Sequence, residues 1–259
     1  MSSNDVDLYV QYRIANAPML EFPYPHIYVR DIFPEDFYVR LRANLPSQAH
    51  LRTLPSLGRV ADDYPDSRLV MPMRREHIAN LEPQQRAFWE ELMGWMLGPS
   101  FGQLMIAKFA AYLQHRFGDI AAQSYADEAL VVRDRTTYTL PPHTDAPDKV
   151  LSFLFYLPPD ASMAQLGTSL YVPKDRQLTC RGGMRYPFDQ FRRVRTMEYL
   201  PNTLFAFMKT PDSFHGVEPI TQPDVQRDLL LYDIKVIKQQ QQPAQPGAAA
   251  AGPKVKFSF

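Results

Sequence analysis

Hydrophobic and polar positions alternate in two different textures along the chain. Up to about residue 126 apolar residues recur at helical spacing, and beyond it they fall in short β-branched or aromatic runs. Pro34-Glu-Asp-Phe opens a helix carrying Phe37, Val39 and Leu41 until Pro46 stops it, because proline removes a backbone donor and crowds the preceding turn. A second helix is predicted over 83–97: proline at its start, Phe88, Leu92, Trp95 and Met96 at helical spacing, and Gly98-Pro99 as the break. A third is expected over 101–117, and Pro25-His-Ile-Tyr-Val29 reads as a short strand ahead of all three.

From residue 130 the segments 130–140, 150–157, 168–172, 193–200, 203–208, 216–220 and 227–237 read as strands bounded by Pro, Gly, Asp or Asn. The run Leu151-Ser-Phe-Leu-Phe-Tyr-Leu157 is almost continuously apolar, as expected of a wall buried on both faces. Such a series, in a chain with 24 prolines, predicts a sandwich or barrel, of which a jelly roll is one solution. The expected fold is therefore mainly β with supporting helices. We divide it into a single domain over 1–238, with 1–126 mostly helical support and 127–238 the β core. The Gln/Pro/Ala/Gly-rich segment 239–259 is expected to be a low-complexity flexible tail, with too little apolar surface to offset the entropy of ordering. Its last residues, Val255-Lys-Phe-Ser-Phe259, are the part suited to docking.

Composition narrows the function by exclusion. Lys+Arg and Asp+Glu are equal at 28 each, so no global field favours nucleic acid or an anionic membrane. The single cysteine, Cys180, excludes an intrachain disulfide. The first residues lack the basic and apolar regions of a signal peptide, and 151–157 is too short to span a bilayer. A cytoplasmic protein without membrane or nucleic-acid partners is expected, and its oligomeric state is left open.

The candidate chemistry begins at Pro141-Pro142-His143-Thr144-Asp145. Residues i and i+2 of an extended segment point to one side, so His143 and Asp145 present an imidazole and a carboxylate toward a common point. His215, from a distant strand, would complete two histidines and a carboxylate, the facial set that leaves coordination positions open on iron(II). Arg227 lies 12 residues beyond His215, at the start of the apolar run Leu229-Leu-Leu-Tyr-Asp-Ile234, where sheet neighbours would hold it to meet a carboxylate.

Taken together, His143-x-Asp145, Phe155-Tyr-Leu157, Gly167-Thr-Ser-Leu170, His215 and Arg227 resemble the iron(II)/2-oxoglutarate-dependent dioxygenase superfamily, in particular its prolyl-4-hydroxylase-like branch. Pro23-Tyr-Pro-His-Ile-Tyr-Val29, Phe33-Pro-Glu-Asp-Phe-Tyr38 and Leu45-Pro46 extend the resemblance upstream, so that it covers almost all of 20–237. It implies a double-stranded β-helix (jelly-roll) core, with iron(II) on His143, Asp145 and His215. It also implies 2-oxoglutarate as co-substrate, with its distal carboxylate on Arg227 and Tyr156, and O2 as oxidant. The implied reaction is hydroxylation of a C–H bond of a small-molecule, sugar-derived or protein side-chain substrate. The carboxylate of Asp145 fits hydroxylation, since halogenating relatives carry a small residue there. The family's frequent Gly-Gly-Glu-Leu stretch is replaced by Leu166-Gly-Thr-Ser-Leu170, which removes the usual acidic residue.

Other readings of the same residues stay open. His143 and Asp145 also suit a strand-end histidine beside a turn-capping aspartate, and His215 a buried structural histidine. Tyr156 is read either as a co-substrate contact or as core packing. His26, His50, His77 and His115 are read as structural or surface residues. The basic connection 173–195, with Lys174, Arg176, Arg181, Arg185, Arg192, Arg193 and Arg195, either receives an anionic substrate or forms a solvated loop. Arg133 and Arg135 share one face of a strand, directed either into the pocket or away from it. A cupin-like metal- or sugar-binding protein without oxidative turnover is the alternative to an oxygenase. A zinc-dependent isomerase or hydrolase is a third reading, disfavoured by the lack of an evident additional general base.

Overall fold

Strand alternation, read through to the tertiary structure, divides the apolar residues of each long strand between two cores. The computed structural model describes residues 3–60, 64–237 and 254–256. In chain order its elements are α1 (Ser3–Ala15), β1 (His26–Arg30), α2 (Glu35–Ala43), β2 (Arg52–Thr53), β3 (Arg68–Pro72), α3 (Arg75–Ile78), α4 (Pro83–Met96), α5 (Pro99–Lys108) and α6 (Ala110–Phe117). There follow β4 (Ser124–Arg135), β5 (Leu140–His143), β6 (Lys149–Tyr156), β7 (Thr168–Pro173), β8 (Phe191–Met197), β9 (Thr203–Met208), β10 (His215–Val217), β11 (Gln226–Ile237) and β12 (Lys254–Lys256).

The larger sheet runs β1-β9-β6-β11-β4-β3-β2, and the smaller runs β5-β10-β7-β8. From β4 onward the chain passes back and forth: β4, β6, β9 and β11 lie in the larger sheet, β5, β7, β8 and β10 in the smaller. That winding is a double-stranded β-helix, the jelly roll expected from the strand series. Its strands pair antiparallel, and the longest ladder matches β11 to β4 from Gln226↔Arg135 to Ile237↔Ser124.

On β6, Leu151, Phe153 and Phe155 face the helices, whereas Leu154 and Tyr156 face the barrel interior. The same division holds on β11, with Leu230, Tyr232 and Ile234 outward and Leu229 and Leu231 inward. Both faces are thus buried, which is why these strands read as continuous apolar runs. The helical layer covers the outer face through Phe88, Trp89, Leu92, Met93 and Met96 of α4, all buried. Phe101 and Phe109 meet Tyr232 and Phe153 edge to face, with ring centroids 5.2 and 6.4 Å apart.

Several elements depart from the sequence reading: β2, β3 and α3 lie between 47 and 82, where no element is expected, and the strands expected over 193–200 and 216–220 are β8 (Phe191–Met197) and β10 (His215–Val217). The third helix is two, α5 and α6, broken at Phe109, whose backbone (φ −104°, ψ 11°) leaves the helical range while its buried ring packs on Phe153. α1 was not anticipated, because only Val6, Val10 and Ile14 mark its buried side, a stripe one residue wide. The expected strand 130–140 is divided: β4 ends at Arg135, and His143 ends a separate strand, β5. Of the segment expected to be a flexible tail, 254–256 form β12, parallel to the start of β4 with Val255 opposite Tyr125, and the rest lies outside the described residues. No helix among the described residues is long and apolar enough to cross a membrane.

Candidate metal centre

The pairing of β5 with β10 creates the centre. Antiparallel register sets His215 directly opposite His143. Their ring centroids are 4.3 Å apart. Such closeness of the two backbones requires a residue without a side chain beside His215: a Cβ on Gly216 would lie 2.4 Å from the Leu140 carbonyl oxygen. Asp145, two residues beyond His143 in the following loop, turns back so that Oδ1 is 3.9 Å from His143 Nε2 and 3.7 Å from His215 Nε2. One ligand atom from each of the three residues lies within 4.8 Å of the others, a spacing that a single divalent ion can occupy.

The surroundings fix each donor. His143 Nδ1–H donates to the Pro141 carbonyl at 3.1 Å and His215 Nδ1–H to the Ser213 carbonyl at 2.9 Å, leaving both Nε2 lone pairs directed at the centre. Ser152 Oγ donates to Asp145 Oδ2 at 2.8 Å, freeing Oδ1 for the ion. Thr144, between the ligands, donates to the Cys180 carbonyl at 3.0 Å and accepts from buried Lys209 Nζ at 2.9 Å. Gly182, at φ 133°, lets this neighbouring segment approach: a Cβ there would lie 2.2 Å from the Asp145 carbonyl oxygen.

The protonation states suit a cation. Burial, reinforced by the neighbouring His215, lowers His143 to about pKa 3, and burial also lowers His215. Burial alone would raise Asp145, but the Lys149 ammonium and then His215 and His143 outweigh it and hold the carboxyl well below its usual range. At neutral pH the set is two neutral imidazoles and one carboxylate, as a metal requires. Lys149 Nζ stands 3.7 Å from Asp145 Oδ1 and 2.9 Å from Asp233 Oδ2.

The three residues line a cavity of about 440 Å³ that also reaches Thr168, Arg68 and Arg227. Arg227 is fully buried. Its Nε donates to the Leu166 carbonyl at 2.6 Å and Nη1 to Asp134 Oδ2 at 2.5 Å, while the guanidinium lies over the rings of Tyr199 and Tyr156. Nη2 has no hydrogen-bond partner among the described residues. Arg68 grips the same carboxylate, with Nε 2.6 Å from Asp134 Oδ1 and Nη2 2.9 Å from Oδ2. Two guanidinium groups on one carboxylate leave a net positive charge and a spare donor beside the cavity, conditions that favour a carboxylate there.

Of the other residues singled out in the sequence, Tyr156 is buried in the barrel, and its hydroxyl donates to Thr168 Oγ1 at 2.9 Å and accepts the Thr168 N–H at 3.2 Å. Arg133 faces the opposite side of β4 from Asp134 and forms a buried two-pronged pair with Asp228 at 2.7 and 3.2 Å, so it serves the sheet. Arg135, on that same side, reaches the Asp66 carbonyl. Of the basic residues in 173–195, Arg185 alone lines the cavity. His26 is buried and bonded to the Tyr24 carbonyl. Asp134, Arg68, Lys149, Ser152 and Asp233 were not anticipated, since isolated charged or polar residues in strands carry no spacing signal; only strand register brings them together.

No family model matches the chain. No curated protein matches it either. Among solved structures, it is similar to a Pseudomonas putida prolyl-4-hydroxylase at 13% identity, covering 88% of this chain and 98% of that one, with a TM-score of 0.49. It is also similar to SnoK, a non-heme alpha-ketoglutarate-dependent carbocyclase from nogalamycin biosynthesis, at 12% identity over 91% and 86% of the two chains, TM-score 0.49. A third is HygX from Streptomyces hygroscopicus with nickel and 2-oxoglutarate bound, at 12% identity over 90% and 92%, TM-score 0.41.

Proposed function

We propose that this protein is a non-haem iron(II), 2-oxoglutarate-dependent dioxygenase that hydroxylates a C–H bond of a small-molecule, sugar-derived or side-chain substrate. The observation that carries this reading is one cavity holding both a facial His-Asp-His set and a buried arginine with an unpartnered Nη2. His143, Asp145 and His215 would hold iron(II), and Arg227, supported by Asp134 and Arg68, would hold the distal carboxylate of 2-oxoglutarate. Iron(II), with 2-oxoglutarate and dioxygen, supplies oxidation of C–H to C–OH, the co-substrate leaving as succinate and carbon dioxide.

The chain's own groups position and desolvate. Ser152 and the two backbone carbonyls orient the three ligands, so little reorganisation accompanies metal entry. Buried Arg227 offers its anchor where water is excluded, which strengthens a charge-assisted pair. Tyr156 is assigned to positioning, because its hydroxyl holds both polar groups of Thr168 at the cavity wall.

The test is anaerobic titration with iron(II) and 2-oxoglutarate, followed by admission of oxygen and measurement of succinate in the presence of candidate substrates. Binding of both ligands with succinate release is expected. Metal binding without 2-oxoglutarate binding or succinate would instead identify a binding protein on the same scaffold.

A further inference from the structure

Beyond the metal ligands, charged side chains continue across the inner faces of β6, β11 and β4, and the functional reading leaves most of them without a task. Asp233 is 1% exposed, lines the cavity, and gives Oδ2 to Lys149. Its Oδ1 has no hydrogen-bond partner among the described residues, so a residue of the cavity wall carries a buried, unsatisfied acceptor, a costly state for a polar atom. Asp233 is opposite Ser152 on β6, the residue that supports Asp145, and opposite Glu128 on β4. This acceptor is therefore one strand away from the metal ligand's support.

Two residues further along β11, on the same side and about 7 Å away by strand rise, Lys235 donates to Glu128. Arg59 Nη2 meets the same carboxylate at 2.7 and 2.8 Å. Burial would raise the Glu128 carboxyl, but Lys235 and Arg59 bring it down to about 2, so it stays ionised. One carboxylate then faces two cations, with side chains 24% (Arg59) and 29% (Lys235) exposed, all three on the cavity wall. This is a second net positive charge, distinct from the Arg68–Asp134–Arg227 group, and Arg59 applies only one of its nitrogens to Glu128.

We propose that the molecule oxidised here is a small hydroxylated acid. Its carboxylate or phosphate is received by Arg59 and Lys235, and a hydroxyl nearer the metal donates to Asp233 Oδ1. A hydroxyl suits Asp233 better than an ammonium, because Lys149 already pairs with that carboxylate and would repel a second cation. The anionic character that the sequence associated with 173–195 is thereby assigned to Lys235 of β11 and to Arg59, which share Glu128 of β4. The proposal rests on the iron(II)/2-oxoglutarate reading, and the two can fail separately.

The test uses the whole protein loaded anaerobically with iron(II) and 2-oxoglutarate, titrated calorimetrically. Probes are glycerate and gluconate, glycerol 3-phosphate and glucose 6-phosphate, the neutral glycerol and glucose, and hexanoate as an acid without hydroxyls. At least one hydroxy acid or sugar phosphate should bind more tightly than its neutral counterpart and than hexanoate; whether it belongs to the carboxylates or the phosphates identifies the acidic group. Lys235→Met and Arg59→Met should each weaken that probe about tenfold, whereas Glu128→Gln, which removes the opposing charge, should tighten it. Asp233→Ala should lessen the advantage over hexanoate. Iron(II) and 2-oxoglutarate affinities, measured first, should stay unchanged in the Lys235, Arg59 and Glu128 variants, showing them folded. Acids binding no better than neutral probes, or Lys235→Met and Glu128→Gln shifting affinity in the same direction, would overturn the proposal. Failure of the wild type to bind iron(II) or 2-oxoglutarate overturns the reading beneath it before any probe is added.

Discussion

At the residue scale, each proposed metal ligand has a second polar atom engaged, and the two roles predict different magnitudes. On the proposed function Asp145→Ala removes a ligand, whereas Ser152→Ala removes only the hydrogen bond that orients it. Loss of such a support typically weakens metal affinity about 10–100-fold, so Ser152→Ala is expected in that range and Asp145→Ala beyond it. Calorimetric titration with manganese(II) or iron(II) checks both, and equal effects would remove Asp145 from the metal. Arg227→Met preserves much of the buried volume and leaves Asp134 paired with Arg68. It should weaken 2-oxoglutarate by well over tenfold with metal affinity unchanged. Tyr156→Phe should cost about 1 kcal/mol of stability per lost hydrogen bond, read from urea unfolding, with little change in 2-oxoglutarate affinity. A large loss of that affinity would restore the tyrosine as a direct contact.

At the element scale, the centre depends on how closely β5 and β10 approach. Gly216→Ala would press a methyl group against the Leu140 carbonyl, backbone against backbone, so the strands must separate. Because His143 and His215 face each other across this ladder, separation also parts their Nε2 atoms. The expected result is weaker metal binding from a substitution that touches no ligand, with the far-ultraviolet circular dichroism retained. Of the strand assignments made from sequence, 203–208 coincides with β9, and the β6, β7 and β11 assignments agree to within a residue or so at either end, since their apolar runs stop at Pro, Asn or Asp. The short strand β5 escaped because two prolines occupy it, and its place in the sheet comes from the neighbour β10.

At the scale of the whole molecule, holding two imidazoles neutral in the interior links stability to pH. Burial and His215 hold His143 at about pKa 3 in the folded protein, against roughly 6.5 in the unfolded chain. Below pH 6.5 the unfolded chain takes up a proton that the fold refuses. The contribution is therefore complete above 6.5 and is lost progressively as pH falls toward 3, at up to about 1.4 kcal/mol per unit. Lowered His215 acts in the same direction, and lowered Asp145 follows only in stronger acid. Metal-free wild type should accordingly lose about 1 kcal/mol more than His143→Asn between pH 7.5 and 5.5, measured by urea unfolding. An identical loss in both would contradict the assigned origin. The helical layer acts separately: Trp89, fully buried with Nε1 bonded to the Asn44 carbonyl, should cost about 3–5 kcal/mol on truncation to alanine.

The sequence by itself determined what local geometry controls. The period-2 and helical patterns marked most elements, the i, i+2 spacing set His143 beside Asp145, and the positions of His215 and Arg227 made them candidates for one site. Tertiary structure decided what depends on register between distant strands. It directed Arg133 to Asp228 and away from the cavity, because Asp134 and not its neighbour faces inward. It engaged the Tyr156 hydroxyl with Thr168, and it assembled Asp233, Lys235, Glu128 and Arg59, whose positions span residues 59 to 235, along one wall. A one-residue shift of pairing would send the strand side chains Glu128, Asp233 and Lys235 to the other face, and no short-range pattern in the chain specifies that pairing.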